Sequence, residues 1–266
     1  MEALAKLLKV ERLKILGKHA LDEQVHLARV QTKRLLAALR LVRPLISPAE
    51  YQRRRRLSKE AADLLAPARN QHVIRKRLLA VSGNLKHGLD QELKDWIQHE
   101  FSKSNRAEGR ANLEKAIRAL NQAMKNFPEP ATECFAAERL QHSYYRARKA
   151  YKRARERGAE EEFHRWRQRA KTLFLQLQAA SELHWIQAGK LLKKLDALQA
   201  KLGEVNDSAI AEAYISNRMK GSRRLLGKAR KQLCQERLRG QRKALKCGRK
   251  LFESKRLRGI KVNRGK

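Results

Sequence analysis

Acidic residues are the main shortage in this chain. Only 27 Asp and Glu stand against 63 Lys and Arg, a formal net charge of +36 over 266 residues. That excess costs self-repulsion in a compact state and is normally matched to a polyanion: DNA, RNA, an acidic membrane surface or polyphosphate. Solubility alone needs far less charge. Helix-breakers are also scarce, at 13 Gly and 5 Pro, which favours long helices over a strand-and-turn architecture. Three cysteines, odd in number and none in a C-x-x-C pair, point to no particular chemistry and read as reduced thiols in the cytoplasm. No stretch approaches the ~18 uninterrupted apolar residues of a membrane span. The first residues, MEALAKLLKVERLKILGKHA, are charged throughout and unlike a secretory signal. Motifs for chemistry are missing too. There is no H-E-x-x-H, no Cys/His metal spacing, no Walker loop, no G-x-G-x-x-G and no G-x-S-x-G. No carboxylate cluster offers a seat for Mg²⁺. The sequence therefore predicts no enzyme, no cofactor and no metal.

Hydrophobic residues nevertheless make up 42% and recur at helical spacing, so the expectation is a folded all-α protein. Its organising stretch is His26 to Arg40, HLARVQTKRLLAALR. At about 100° per residue, His26, Arg29, Lys33 and Arg40 fall within roughly 60° of one another, and the rest of the circumference is mostly apolar. A narrow ribbon of charge on an apolar cylinder suits cations held on the wall of a cleft between packed helices. The spacing H-x-x-R-x-x-x-K returns in His164, Arg167 and Lys171, with Gln178 in the place of Arg40. A second pair of matching segments follows. Leu65 to Asn70 with Val73 corresponds to Leu202 to Asp207 with Ile210. Two matches in one order, offset by roughly 137 residues, argue for an internal duplication. The halves would be an N-terminal helical bundle over 1–127 and a C-terminal bundle over 128–266 with a basic tail, divided at Asn126-Phe127-Pro128-Glu129-Pro130.

Along the chain, helices are predicted over 2–17, 22–42, 48–66, 69–82, 89–104, 108–126, 131–157, 160–180, 182–201, 206–219 and 221–258, with a frayed GIKVNRGK tail. Ser47-Pro48-Ala49-Glu50 is a capping box with Pro at the first helical position. Arg53 to Arg56 cover more than one turn of face, so some must meet solvent. Tyr144, Tyr145 and Tyr151 lie among Arg and Lys. Such interleaving can stack bases or belong to a bundle helix with snorkelling cations. Residues 221–266 hold 18 Lys and Arg against Glu236 and Glu253.

Anion binding is the chemistry left. Arg grips two phosphate oxygens with its planar fork, and Lys adds a point charge. The seven positions from His26 to Lys33 cover roughly 10 Å of helix axis, enough to meet several successive phosphates of a linear chain. Neighbouring cations should favour neutral imidazole at His26 and His164 until a polyanion binds. Binding is then expected to take up protons and strengthen below about pH 7. Asn70, Asn206 and Asp207 fit a supporting role, orienting arginines or capping a helix.

These motifs resemble the CHAD family, the conserved histidine α-helical domain. HLARVQTKRLLAALRLV resembles its first motif, HRWRQRAKTLF its second, and LGEVNDSAI and more loosely LAPARNQHV its L-G-x-x-[RN]-D-x-x-[VI] segments. The resemblance implies two four-helix bundles related by a pseudo-two-fold, a basic central channel, non-catalytic binding of inorganic polyphosphate, and residence at polyphosphate granules. It places His26, Arg29, Lys33, Arg34 and Arg40 on one side and His164, Arg167 and Lys171 on the other; Arg69, within the looser repeat, joins the binding set. Asn70 departs from the usual Asp. The triphosphate-tunnel signature E-x-E-x-K often fused to this family is absent. The alternative is a basic helical protein that binds nucleic acid.

Overall fold

A computed structural model describes residues 20–85, 88–102, 106–127, 133–218 and 223–262. The helix expected over 2–17, both prolines of the central break and the last four residues lie outside this set. The described residues form nine α-helices and one two-stranded ribbon, so the chain is all-α. The helices are α1 (Leu21–Leu41), α2 (Pro48–Leu64), α3 (Ala66–Ser82), α4 (Leu89–Glu100), α5 (Arg106–Met124), α6 (Glu133–Arg157), α7 (Glu160–Glu182), α8 (Gly189–Ser216) and α9 (Arg223–Phe252). The strands are β1 (Ile186–Gln187) and β2 (Lys261–Val262). No helix among the described residues is long and apolar enough to cross a membrane.

The punctuation is local chemistry. Ser47 Oγ accepts from the Glu50 backbone N–H at 3.2 Å and Pro48 opens α2, as the capping box predicts. Arg54, buried inside the four-arginine run, donates to Glu50, to the Ala123 carbonyl at 2.7 Å and to the Asn126 carbonyl at 3.0 Å. It thus satisfies carbonyls at the end of α5 that have no partner within the helix. Arg56 is the exposed member of the run.

Three hydrophobic clusters hold the helices together. One joins α1, α2 and α5 through Leu35, Leu39, Ala61 and Leu120. Another joins α6, α7, α8 and the end of α9 through Trp166, Leu173, Leu198 and Phe252. The third is drawn from both sides of Phe127: Leu78, Leu93 and Ile97 of α3 and α4 pack with Ile215, Leu226 and Leu233 of α8 and α9. Helices α1 and α7 pack on one another, and the Gln176 side chain donates to the Ala37 carbonyl at 3.0 Å. Both helices are covered on most of their circumference, leaving the basic stripes little room except a cleft.

Three details depart from the sequence reading. The helices expected at 182–201 and 206–219 are one, α8, which runs through Gly203. A helical Gly costs roughly 0.5–1 kcal/mol relative to Ala; the unbroken buried row Leu191, Leu195, Leu198, Leu202, Val205 and Ala209 outweighs it. The real break precedes α8, where His184 has φ 59 and Ile186–Gln187 turn extended. Finally, α9 stops at Phe252, and within the described part of the tail Lys261–Val262 pair as a strand: Ile186 registers with Val262 and Gln187 with Lys261, antiparallel.

Candidate functional site: a basic pocket among α1, α3, α7 and α8

Ala28, Leu35 and Leu39 anchor one face of α1 in its core cluster, and Phe163, Trp166, Ala170 and Leu173 anchor α7 in another. The stripes left over converge. Arg29 and Lys33 of α1, Arg69 and Asn70 of α3, His164 and Arg167 of α7, and Asn206 and Asp207 of α8 line a single cavity of about 820 Å³. Val73, Phe163, Leu202 and Val205 give it an apolar wall. Residues nearly 180 positions apart therefore meet in one cavity.

The cations here are crowded and poorly solvated. Burial, then Arg167, Arg29, Lys171 and Arg69, push the Lys33 ammonium down to about 8. Burial also lowers Arg29, with Arg69 and Arg167 acting in the same direction. Arg167 is lowered by burial and Arg69, against which Asp207 pulls it back up. Asp207 lies 3.9 Å from Arg69, so this carboxylate stands between two guanidinium groups. Arg29 reaches the Ala62 carbonyl at 3.4 Å with one terminal nitrogen, while its Nε is buried with no hydrogen-bond partner. Such an orphan donor costs roughly 1–3 kcal/mol unless an acceptor reaches it.

The two histidines differ. His164 Nδ1 lies 2.8 Å from Asn206 Oδ1, and its Nε2 lies 2.7 Å from the Gln168 amide nitrogen. That pattern puts the proton on Nδ1, donating to Asn206, and makes Nε2 the acceptor. Gln168 was not anticipated, although its i+4 position on a helix was a usable signal. His26 lies outside the cavity lining but close to it. Burial, then Arg69, Lys33, His72 and Arg29, lower its imidazole below the usual value.

Of the other anticipated residues, Lys171 adjoins the pocket through Arg167. Its ammonium sits 4.8 Å from the Phe174 ring centroid, and burial lowers it while Asp196 pulls it up. Arg34 lies near Lys171. Arg40 is absent from the cavity lining and donates instead to Thr172. A larger cleft of about 1080 Å³ runs along α2, where Arg53, Arg55, Arg56 and Lys59 alternate with Glu60 and Asp63. The basic pocket is also lined by Glu160, Glu161 and Arg165; what separates the α2 cleft from it is that none of the repeated stripe residues reaches that cleft. No group of three or more His, Cys, Asp or Glu able to hold a metal occurs among the described residues.

Neither the curated proteins nor the solved structures yielded a match. A family model does match, over residues 1–216: the CHAD domain. That span takes in both basic stripes, both supporting segments and the whole pocket, and the chain belongs to the CHAD domain family.

Proposed function

We propose that this chain binds inorganic polyphosphate, without catalysis, in the basic pocket. The observation that supports it best is Arg29. A half-buried guanidinium repelled by Arg69 and Arg167, with an orphaned Nε, is an arrangement that an anion would complete. Arg167 and Lys33 face it from either side of the α1–α7 junction, so a thin chain of phosphates can be gripped from two walls. His26 then gains a proton as its neighbours are neutralised, and affinity rises as pH falls through the imidazole range. Through this affinity the chain would collect at cytoplasmic polyphosphate granules.

The nucleic-acid reading loses its aromatic support. Tyr144 and Tyr151 are buried against Phe252, and Tyr151 also packs on Trp166 with ring centroids 5.2 Å apart. Tyr145 alone of the three is exposed.

The test is a competition at near-physiological salt. Labelled long-chain polyphosphate is challenged with duplex DNA, structured RNA and inorganic triphosphate. The pocket reading expects polyphosphate to compete far better per phosphate than nucleic acid; equal competition would overturn it. Arg29→Gln with Arg167→Gln should weaken polyphosphate binding at least about a hundredfold, from two charge-assisted contacts. Arg242→Ala with Lys243→Ala, on the exposed face of α9, should cost no more than about threefold.

A further inference from the structure

Arg40 closes the first stripe in sequence but leaves it in space. Its guanidinium donates to Thr172 Oγ1 at 2.9 Å. On α7, Arg169 is two residues from both Arg167 and Lys171, a rotation of about 200°, and so faces away from the pocket. Thr172 lies one turn beyond Arg169, so Arg40 has crossed to that far side.

Cations from four helices gather there. Besides burial, Arg40 of α1 feels Arg146 of α6 and Arg55 of α2, and Arg169 of α7 feels Arg146 and Arg40. Arg139 of α6 donates to the Arg40 carbonyl at 3.4 Å, and its Nε is buried without a partner. His142 faces Arg139, Arg146 and Arg43. Near Arg40 lie two hydroxyls, Thr172 and Tyr51. Among the described residues no carboxylate pairs with Arg40, Arg146 or Arg169, unlike the pocket, where Asp207 tempers Arg69 and Arg167. Arg40, Arg55 and Arg169 are partly buried and Arg146 is exposed; guanidinium groups gathered without a counter-charge, beside the orphaned Arg139 Nε, call for an anion, and their forks suit a tetrahedral oxyanion.

We propose that Arg40, Arg55, Arg146 and Arg169 form a second phosphate-binding site on the side of α7 opposite the pocket. The ligand is a phosphoryl anion. It is either a distal stretch of the polyphosphate that fills the pocket, since Lys33 and Arg40 are only about 10 Å apart along α1, or a separate short phosphate. The proposal rests on the phosphate preference read for the pocket.

Calorimetric titration of the full chain with inorganic triphosphate and with long-chain polyphosphate tests it. A separate site predicts two triphosphates per chain, falling to one in Arg146→Ala with Arg169→Ala. A distal stretch predicts one triphosphate per chain, and long-chain affinity at least about tenfold weaker in the same variant. Arg146→Glu, a change at an exposed position, guards against misfolding, and its melting temperature should match the parent. Unchanged stoichiometry and long-chain affinity within about twofold in both variants would overturn the second site. The Arg29→Gln, Arg167→Gln variant reports on the pocket separately: full binding there with loss in the Arg146 variants would refute the pocket reading and leave the second site standing.

Discussion

Lys33 shows what the pocket costs the empty protein. Its proton is held only below about 8, against 10.5 for an ordinary lysine. Between those values the unfolded chain binds the more protons. The unliganded fold therefore gains stability from this residue as pH rises through that window, and carries the full penalty below about 8. A polyanion reverses the balance: it restores the proton, so affinity falls as pH climbs from about 8 towards 10.5, by up to about tenfold per unit. Lys33→Met should remove both effects. We expect the unliganded variant to melt about 2–4 °C higher, for roughly 1 kcal/mol of relieved burial and repulsion. It should also bind polyphosphate more weakly and lose the alkaline dependence. A lower melting temperature with unchanged affinity would show Lys33 to be plain structure. This strain was half legible in sequence. The stripe of His26, Arg29 and Lys33 could be drawn from periodicity, but which cation would be most buried depends on Arg167 and Lys171, which arrive from a helix that sequence spacing cannot orient. Arg40 shows the limit: its angular position on α1 is that of the stripe, yet a long flexible side chain chose the hydroxyl of Thr172.

Among elements, α9 was legible as a helix but not in how it packs. Its amphipathic leucines predicted a helix, and one formed over Arg223–Phe252. Its closeness to the rest came from two glycines whose role no local pattern reveals. A Cβ at Gly248 would lie 2.6 Å from Trp166 Cζ2 and 2.8 Å from Tyr151 Cδ2, and one at Gly240 would lie 2.8 Å from Val205 Cγ2. The Trp166 ring is fully buried and has stiff neighbours on every side, with Tyr151, Phe163 and Phe252 around it. It cannot yield as a flexible side chain would. Gly248→Ala should therefore destabilise the fold by about 1–3 kcal/mol despite the better helix propensity of Ala, read as a lower denaturant midpoint at unchanged m-value. Gly203, with nothing within 4 Å of the same position, supplies the control: Gly203→Ala should be neutral or stabilising by up to about 1 kcal/mol. The two glycines look alike in sequence. Their difference lies wholly in what packs across them.

At the scale of the molecule, a net charge of +36 makes salt act in two opposite directions. In the unliganded chain, added salt screens repulsion among cations such as Arg29, Arg69 and Arg167, so the melting temperature should rise with ionic strength. A bound polyanion already supplies that compensation, and its binding is driven partly by release of counterions, so salt weakens it steeply. Ligand binding raises stability by RT ln(1 + [L]/Kd), about 2.7 kcal/mol at a hundredfold excess over Kd, or roughly 5–10 °C for a chain of this size. Melting curves with and without long-chain polyphosphate, taken from low to high salt, should therefore converge from below: the free protein climbs while the increment from ligand shrinks. Generic charge and a shaped site then separate in the variants. Arg29→Gln with Arg167→Gln lowers the net charge by two and should leave the climb of the free protein nearly intact, while most of the polyphosphate increment disappears even at low salt. Arg242→Ala with Lys243→Ala lowers the charge equally and should keep the increment. If both variants lose it in proportion to charge, the polyanion is held by the whole basic surface, and the pocket between α1 and α7 is not its seat.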